Sequence, residues 1–482
     1  MRRAVRLVVF LLFVAVLVGC ATNPVTGKRE FSLMSEAQEI QIGQEMDPQV
    51  RQEMGVYEDA GIQQYVQRIG SSLAGLSQRP ALPWHFAVVD SPAVNAFALP
   101  GGFVYITRGI LPYLDSEAQL AGVLGHEIGH VTARHSAQQY TRATGGQLGL
   151  AALGIFVPAA QQFGQAAETA MGVLFLKYSR EDEIQADQLG VDYASKGGWD
   201  PAGVSEMLMT LGRLDATATD RNGVPNWLST HPQPADRVEK VQAAVSELRA
   251  GRQWRSDRAG YLQQIDGVVF GDDPRQGLVR GSEFVHPELR FALAFPQGWE
   301  VNNSASQVVA KAPNANAFLL LQLVRQPQGG SIGAIAETHM TKAGFTALNG
   351  SAETINGFGA YVGTYRGNVQ DLGDTTVRAA HIADSGRVYM LAGLAPTAQY
   401  RQAEAAFSRC IQSFRRLSAS EAADVRPNRV QMYTARAGDT WESIAQRTGN
   451  LVKPATLAIM NDHDPAEQPQ AGERLKTVVV GR

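Results

Sequence analysis

The feature that most constrains this chain is the run His126-Glu127-Ile128-Gly129-His130, in which two histidines stand four positions apart. Positions i and i+4 share one face of an α-helix, so both imidazoles can reach one metal ion. Zinc accepts imidazole and carboxylate ligands. Glu127 would lie beside that ion, where it can take a proton from water and later pass it to a leaving amine.

A third ligand is needed, because HExxH arises by chance in roughly one such chain in a hundred and a catalytic zinc normally has three protein ligands. Glu183 and Asp187 are again four positions apart on a helical pattern. We predict that Glu183 binds zinc and that Asp187 accepts a hydrogen bond from the distal nitrogen of a ligand histidine. A solvated acidic face is the alternative, and we expect the neighbouring Glu181 and Asp182 to be exposed.

Local signals place this motif on a helix that follows a small sheet. Ser116, with Gln119 three positions later, predicts a capping box at the start of the helix. Two upstream runs, 84–90 and 103–107, have strand character, and Pro100-Gly101-Gly102 predicts a tight turn before the second run. Helix-period segments dominate the rest of the first half of the chain.

Two other histidines in this region are assigned no ligand role. His85 falls in the first strand-like run. His135 would lie about 180° around a continuous helix from His126, at about 100° per residue.

Five segments together resemble the zinc metallopeptidase family of the eukaryotic CAAX prenyl protease, the bacterial membrane protease HtpX and the periplasmic BepA-like enzymes. They are Asn23–Lys28, Asn95–Gly102, the HExxH run, Glu183–Asp187 and Ser229–Arg237. The resemblance implies a gluzincin fold with one zinc ion per chain, held by His126, His130 and Glu183. It also implies peptide-bond hydrolysis, with Glu127 as the base.

The same resemblance implies a substrate site and a further catalytic segment. The strand Phe103, Val104, Tyr105 and Ile106 would form a sheet edge beside the metal-binding helix, where an extended substrate pairs through its backbone. His231 would lie near the metal, either donating to the oxyanion or filling the fourth zinc position at rest. Arg237 would orient His231 or neutralise charge. A loop shaped by structural prolines is the alternative for this segment.

The chain departs from the family in two respects. The CAAX protease and HtpX have many membrane spans, whereas this sequence has no convincing span after its first residues, so prenylated substrates are not expected. BepA-like enzymes carry helical repeats after the catalytic domain, and no repeat of that period is found here.

The first twenty residues have the pattern of a bacterial lipoprotein signal. Arginines precede a short apolar run, too short for a comfortable span, which ends in Leu17-Val18-Gly19-Cys20. This resembles a lipobox, which implies cleavage before Cys20 and acylation of that residue. An ordinary signal peptide is the alternative. The residues after Cys20 favour sorting to the outer membrane, and Cys410 is then left as a lone thiol, which we expect to be buried.

Two later segments have other textures. Residues 143–167 carry no charge, which fits a helical hairpin over the site better than a membrane-inserting segment, because of their glutamines and proline. Residues 433–475 resemble a LysM module, a kind of domain that binds glycans containing N-acetylglucosamine. The implied partner is peptidoglycan, and a LysM-like cap that binds no sugar is the alternative.

We therefore predict an α+β multidomain protein with five regions. These are a signal peptide (1–19), a mainly helical gluzincin metalloprotease domain with a small sheet (20–255), an α+β domain with a PsbP-like pattern (256–418), a linker (419–430) and a LysM-like βααβ module (431–482).

The predicted function is zinc-dependent hydrolysis of misfolded or stalled envelope proteins, on the periplasmic side of a Gram-negative-type outer membrane. A formal net charge of -3 argues against a nucleic-acid partner. The alternatives are a peptidoglycan-associated peptide hydrolase and an assembly chaperone whose catalysis is secondary.

Overall fold

The computed structural model of the protein describes residues 20–142, 177–217, 227–232, 235–249, 252–324 and 330–481. The predicted signal peptide and the uncharged segment 143–167 lie outside these residues. The described chain is a mixed α+β protein, as predicted, with a helical first half and a strand-rich second half. Contacts divide it into two compact units, Met1–Gly271 with Asn428–Val479, and Asp272–Pro427 with Val480–Arg482.

The first half of the chain contributes most of the first unit. Its elements are β1 (Cys20–Thr22), β2 (Arg29–Phe31), α1 (Glu36–Met54), α2 (Ala60–Ala74), β3 (His85–Val89), β4 (Ala96–Leu99), β5 (Phe103–Thr107), α3 (Glu117–Thr132), α4 (Arg180–Lys196), α5 (Ala202–Thr217), α6 (Trp227–Thr230), α7 (Ala235–Arg249), α8 (Arg258–Ile265) and β6 (Val269–Phe270). A 3₁₀ turn, Arg108–Tyr113, leads from β5 towards α3.

The helix α3 begins where the sequence predicts, because the side chain of Ser116 accepts a hydrogen bond from the backbone N–H of Gln119 at 3.1 Å. The second hydrogen bond of a capping box, from the backbone of the cap residue to the side chain of Gln119, is replaced by a different one. Oε1 of Gln119 accepts from the backbone N–H of Asp115 at 2.8 Å, one residue before the cap. Every residue of α3 is buried, so the helix is a rigid central support for the side chains that it carries.

Small residues let α4 pack closely against α3. A Cβ atom on Gly125 would stand 3.1 Å from Cα of Gly190, and one on Gly129 would stand 3.1 Å from Cα of Ala186. Those distances are tighter than ordinary van der Waals contact, so larger residues at these positions would push the helices apart. The glycine inside the HExxH run therefore helps to bring the acidic side chains of α4 within reach of the histidines.

The small sheet beside α3 corrects one prediction. Its strand order is β3-β5-β4, with β3 parallel and β4 antiparallel to β5. The strand Phe103–Thr107 is therefore central and paired on both sides, so the prediction that it is a substrate-binding edge is wrong. The predicted tight turn is confirmed, because Gly101 and Gly102 have φ angles of 83° and 105° in the connection between β4 and β5.

The second unit is built on an antiparallel sheet with a core on each face. Its elements are β7 (Leu278–Arg280), β8 (Glu283–His286), β9 (Phe291–Ala294), β10 (Glu300–Asn303), β11 (Gln307–Lys311), β12 (Phe318–Leu323), α9 (Ile332–Lys342), β13 (Phe345–Ile355), β14 (Phe358–Val369), β15 (Gly373–Asp384), β16 (Arg387–Pro396), α10 (Tyr400–Gln412), β17 (Arg415–Arg416) and α11 (Ala419–Ala423). Seven strands pair in the order β10-β11-β12-β16-β15-β14-β13, and four more in the order β17-β9-β8-β7.

The two faces of the seven-stranded sheet are covered by different helices. Phe407 of α10 belongs to the core on one face, and Met340 of α9 belongs to the core on the other. Cys410 of α10 is 1% exposed, which confirms the expected burial of this thiol, and burial raises its pKa to about 12. The predicted linker region contains the short helix α11.

The last segment of the chain returns to the first unit. It comprises β18 (Asn428–Thr434), α12 (Trp441–Arg447), α13 (Pro454–Met460) and β19 (Arg474–Val480). The strands β19, β18 and β6 form one sheet, and Trp441 and Leu457 share a hydrophobic cluster with Tyr113 from the 3₁₀ turn before α3.

Within the part of the chain that the structure describes, no helix is both long enough and apolar enough to cross a bilayer.

Candidate metal centre

Four side chains from three helical segments converge on one point. His126 and His130 come from α3, Glu183 from the first turn of α4, and His231 directly follows α6. Nε2 of His130 lies 3.0 Å from Nε2 of His126 and 3.5 Å from Oε1 of Glu183. Nδ1 of His231 lies 3.0 Å from the same Glu183 oxygen and 3.3 Å from Nε2 of His126. All four can offer a ligand atom within a sphere small enough for one ion.

These separations fit zinc. Metal–ligand bonds of about 2.0–2.2 Å in a tetrahedron put neighbouring ligand atoms about 3.3–3.6 Å apart. The ligand atoms of His126, His130 and Glu183 are separated by 3.0–3.7 Å. Two imidazoles and one carboxylate are also a donor set that catalytic zinc sites use. Zinc is therefore the cofactor that this cluster suits.

Asp187 and Arg237 support the cluster from behind. Oδ1 of Asp187 lies 2.9 Å from Nδ1 of His126, so the distal nitrogen of that histidine has the carboxylate partner that sequence spacing suggests. Arg237 donates to both oxygens of Asp187 at 2.7 and 2.8 Å, and its Nη1 lies 2.6 Å from Oε2 of Glu183. Arg237 thus contacts the two carboxylates of α4 directly, which matches the charge-neutralising alternative.

The electrostatics follow from burial and from these contacts. Burial alone would raise the pKa of Asp187, but the hydrogen bonds from Arg237 and His126 bring the net pKa below its ordinary value. Glu183 behaves likewise: burial raises its pKa, and the charge and hydrogen bond of His231 lower it overall. Burial lowers the pKa of His130 well below its ordinary value, which favours the neutral imidazole that a metal requires.

Glu127 stands apart from this network. It is 0% exposed, and among the described side chains neither of its carboxylate oxygens has a hydrogen-bond partner. Its Oε1 lies 3.6 Å from Nε2 of His231. Burial raises the pKa of Glu127. A buried carboxylate without partners is costly unless it has a chemical role, and a raised pKa suits a group that must hold a proton during a reaction.

His231 is held at the site by aromatic packing. Its ring stacks on Trp227 with centroids 4.2 Å apart, and the backbone N–H of Trp227 donates to the carbonyl of Val94 just before β4. On the other side, Tyr178 stacks on His130 with centroids 3.8 Å apart. His126, Glu127, His130, Glu183 and His231 are each at most 1% exposed as whole residues. In this conformation the cluster is closed to solvent.

The sequence prediction gave His135 no ligand role, and the candidate cluster does not contain it, but its contact with His130 was not foreseen. His135 is 0% exposed, and its Nδ1 lies 2.9 Å from Nδ1 of His130. The straight-helix projection fails because Arg134 has a φ of 61°, a left-handed conformation that ends α3 and redirects the chain before helical structure resumes at residue 135. An arginine gives no local signal for that conformation, so the sequence could not have revealed the contact.

Two further expectations have different outcomes. Glu181 is exposed as predicted, but Asp182 is only 6% exposed, so the prediction for Asp182 is wrong. It caps α4 together with Ser179, and its Oδ1 lies 3.7 Å from Nε2 of His135. His85 lies in β3, where it stacks on Phe103.

The fold and the site together define the class. A buried helix carrying HExxH, a carboxylate from a second helix within reach of both histidines and a buried glutamate that has no hydrogen-bond partner among the described residues are the features of a zinc metallopeptidase. The sequence profile described as Peptidase family M48 matches residues 61–245.

Named proteins agree with that class. The chain is 31% identical over 238 residues to a "Beta-barrel assembly-enhancing protease" of Escherichia coli strain K12, covering 47% of this chain and 48% of that protein. It is also 31% identical over 238 residues to "Mitochondrial metalloendopeptidase OMA1" of Schizosaccharomyces pombe, covering 48% of this chain and 68% of that protein. An Arabidopsis thaliana protein of the same name is 32% identical over 209 residues, 41% of each chain.

The chain belongs to peptidase family M48, whose members depend on zinc. It spans about half the length of the bacterial relatives that it matches. A solution structure of cyanobacterial PsbP from Synechocystis is 13% identical, with a TM-score of 0.24, and covers 28% of this chain and 94% of that chain. At that TM-score the likeness defines neither the fold nor the function of the second unit.

Proposed function

We propose that this protein is a zinc metalloendopeptidase that hydrolyses peptide bonds of misfolded or stalled cell-envelope proteins. The observation that carries the proposal is Glu127, whose buried oxygens have no hydrogen-bond partner among the described residues and adjoin a set of zinc ligands. A buried carboxylate without hydrogen bonds destabilises the fold, so its place beside the candidate ligands, with His231 3.6 Å away, points to a chemical role.

Each residue would have a defined task. His126, His130 and Glu183 would hold the ion, and Asp187 would keep His126 in the tautomer that ligates through Nε2. Zinc, when bound, supplies a Lewis acid that polarises the scissile carbonyl and makes water more acidic. Glu127 would take a proton from the attacking water and deliver it to the departing nitrogen, a contribution of typically 10²–10⁴-fold in rate.

His231 would have two positions. Its Nδ1 adjoins Glu183 and His126 at distances typical of neighbouring zinc ligands, which favours a resting role as fourth ligand. Since the site is closed to solvent, the turn that carries Trp227 and His231 would have to withdraw before a substrate enters. His231 could then donate to the oxyanion, stabilising it by a few kcal/mol.

The substrate would pair with β4 rather than with β5. Among the described strands β4 has a single neighbour, β5, and it also contacts α3, which carries the ligands. An extended peptide added to this edge would be held through its backbone, and such pairing reads little sequence. Broad specificity of that kind suits an enzyme that removes misfolded chains.

The cellular setting forms part of the proposal. A lipid on Cys20 would tether the enzyme to the periplasmic side of a Gram-negative-type outer membrane. The order strand, helix, helix, strand in β18, α12, α13 and β19 supports a LysM-like module, whose partner would be peptidoglycan. The relatives include a beta-barrel assembly-enhancing protease and a mitochondrial metalloendopeptidase, and these names support a role of this chain at a cell envelope.

The test compares wild type with Glu127→Gln and with Glu181→Gln, which makes the same change at an exposed glutamate near the zinc ligand. We expect one zinc per wild-type chain and degradation of unfolded casein. Glu127→Gln should keep its zinc and lose at least about 100-fold in turnover, whereas Glu181→Gln should match wild type. Zinc-free wild type, or full turnover by Glu127→Gln, would refute the proposal.

Two more readouts separate the alternative functions. Release of muropeptides from isolated sacculi, without casein turnover, would favour a peptidoglycan hydrolase. Full complementation of a deletion strain by Glu127→Gln would favour an assembly chaperone.

A further inference from the structure

His130 has an unusual partner on the side away from the metal position. Its Nε2 belongs to the ligand cluster, and its Nδ1 lies 2.9 Å from Nδ1 of His135. Nε2 of His135 lies in turn 2.9 Å from Oε1 of Gln185 on α4. The side chains of both histidines are buried. The contacts therefore form a row of three side chains that starts at a metal ligand and crosses from α3 to α4.

One arrangement of protons satisfies every link in this row. A histidine that ligates through Nε2 must leave that nitrogen unprotonated, so the ring proton of neutral His130 is on Nδ1. Nδ1–H of His130 then donates to His135, whose Nδ1 must be the acceptor. The one proton of neutral His135 is consequently on Nε2, and it is donated to the amide oxygen of Gln185. If any one of these nitrogens changed from donor to acceptor or the reverse, one contact in the row would contain two protons or no proton, and its hydrogen bond would be lost.

The two ligand histidines are thus supported in different ways. His126 has the carboxylate of Asp187, which adds a negative charge that Arg237 balances at 2.7 Å. His130 has an imidazole as its direct partner, and the nearest carboxylate on that side, Asp182, lies 3.7 Å from Nε2 of His135, so no charged group contacts the Nδ1 side of His130 directly. Orientation by an outer partner is worth about 10- to 100-fold in metal affinity where it has been removed by mutation.

The backbone at Arg134 makes this contact possible. On a continuous helix His135 would lie about 140° around the axis from His130, facing away from the metal. The left-handed conformation of Arg134 reverses that direction, and its side chain is held by Glu39 at 2.5 Å and by the carbonyl of Met34 at 2.6 Å. Backbone strain that is held by specific contacts clusters at functional sites, and Arg134 lies beside one.

We propose that His135 and Gln185 are positioning residues that hold His130 in its Nε2-ligating tautomer and thereby set the zinc affinity of the protein. The inference rests on the proposed zinc site, but it does not depend on peptidase activity. It also explains how the two ligand-bearing helices are kept in register, because the same row of side chains joins α3 to α4.

The test measures zinc affinity in the full-length protein by competition with a chromogenic chelator. His135→Ala should weaken zinc binding by about 10- to 100-fold and speed zinc loss to the chelator. Gln185→Ala should have a smaller effect in the same direction, because His130 keeps its acceptor. His85→Ala, at an exposed histidine of β3, is the matched control and should leave the affinity unchanged.

A conservative variant separates positioning from simple packing. In His135→Asn the amide oxygen stands where Nδ1 stood, so we expect zinc affinity within about 3-fold of wild type. Equal affinity in wild type and His135→Ala would overturn the proposal, as would a His135→Asn protein that is folded but as weak as His135→Ala. Failure of wild type to bind zinc would refute the proposed function instead, so the two failures are distinguishable.

Discussion

Two parts of the chain follow the metal-binding half in sequence. One forms a compact unit of its own, and the other packs into the unit that contains the metal site. Residues 272–427 form a unit with its own cores on both faces of a sheet. Residues 428–479 belong to the same compact unit as the metal site. The shorter part places Lys476 in a fully buried position, where Nζ donates to the carbonyl of Leu114 at 2.5 Å and lies 3.1 Å from Asp115.

The difference shows that the length of a segment, more than its composition, decides whether it can form a hydrophobic core of its own. A segment of about 50 residues buries too little apolar surface to be very stable alone, whereas a segment of about 150 residues can close its own core. The short segment gains stability by sharing a cluster with Tyr113 and by pairing β18 with β6. Asp462 of this segment also accepts from Gln119 in the first turn of α3 at 3.4 Å and from Thr210 of α5 at 3.1 Å, so the segment supports the start of the metal-binding helix.

The largest expected effect comes from removing each part in turn. Because Phe270 pairs with Asn428, excising residues 272–427 and joining the ends with a short Gly-Ser linker should leave a folded unit that binds zinc. Removing residues 428–482 should instead expose the buried cluster around Tyr113 and yield insoluble protein, or protein that does not hold zinc. Zinc content and thermal melting would measure both outcomes. A stable, zinc-binding protein that lacks 428–482 would break the comparison.

A smaller effect is expected from the buried cation alone. Lys476→Ala removes one partner of Asp115, which keeps Arg258 at 2.5 Å, and it leaves the carbonyl of Leu114 without its donor. Breaking a buried pair costs about 3–5 kcal/mol, and we expect the lower end here because Arg258 remains. Chemical denaturation of the first unit would measure it. Lys453→Ala, at an exposed lysine of the same segment, should leave the midpoint unchanged.

The smallest expected effect is a pH dependence of the second unit. Burial lowers the pKa of His286 to about 4 and that of His381 to about 3, from 6.5 in the unfolded chain. The unfolded state therefore binds more protons below pH 6.5, so stability is fully present above that pH and is lost as the pH falls towards the folded pKa values. Between pH 6.5 and 5.5 we expect the two histidines together to cost roughly 2 kcal/mol of stability.

The control for that prediction is the slope of the free energy of unfolding against pH, measured in a variant that lacks one of the histidines. His381→Asn should flatten the dependence of the free energy of unfolding on pH over this range, whatever its effect at pH 7. An unchanged slope in that variant would show that His381 is not neutral in the folded unit.

Much of the site was accessible from local patterns. The i, i+4 spacing in α3 and in α4 identified three residues of the cluster and the partner of His126, because helix geometry alone puts such pairs on one face. The cap at Ser116 located the start of α3 for the same kind of reason. Each of these inferences needs a few neighbouring residues and nothing more.

Other features depended on contacts between distant segments. Strand order is not encoded in strand periodicity, so Phe103–Thr107 could be identified as a strand but not as the central one. Asp182 lies on the expected helix, yet it is buried, with His135 from beyond the end of α3 only 3.7 Å from its carboxylate. The position of Lys476 against Asp115 joins residues more than 300 positions apart, and no local pattern announces such a pair.

What the sequence determined by itself is the chemistry: two imidazoles and a carboxylate at helical spacing, with a glutamate between them, because those relations are set within single helices. What only the tertiary structure decided is how that chemistry is held. The left-handed Arg134, the close approach of α3 and α4 and the return of the last segment to the first unit all arise from packing. Packing depends on which surfaces meet, and these surfaces come from segments that are far apart in the sequence.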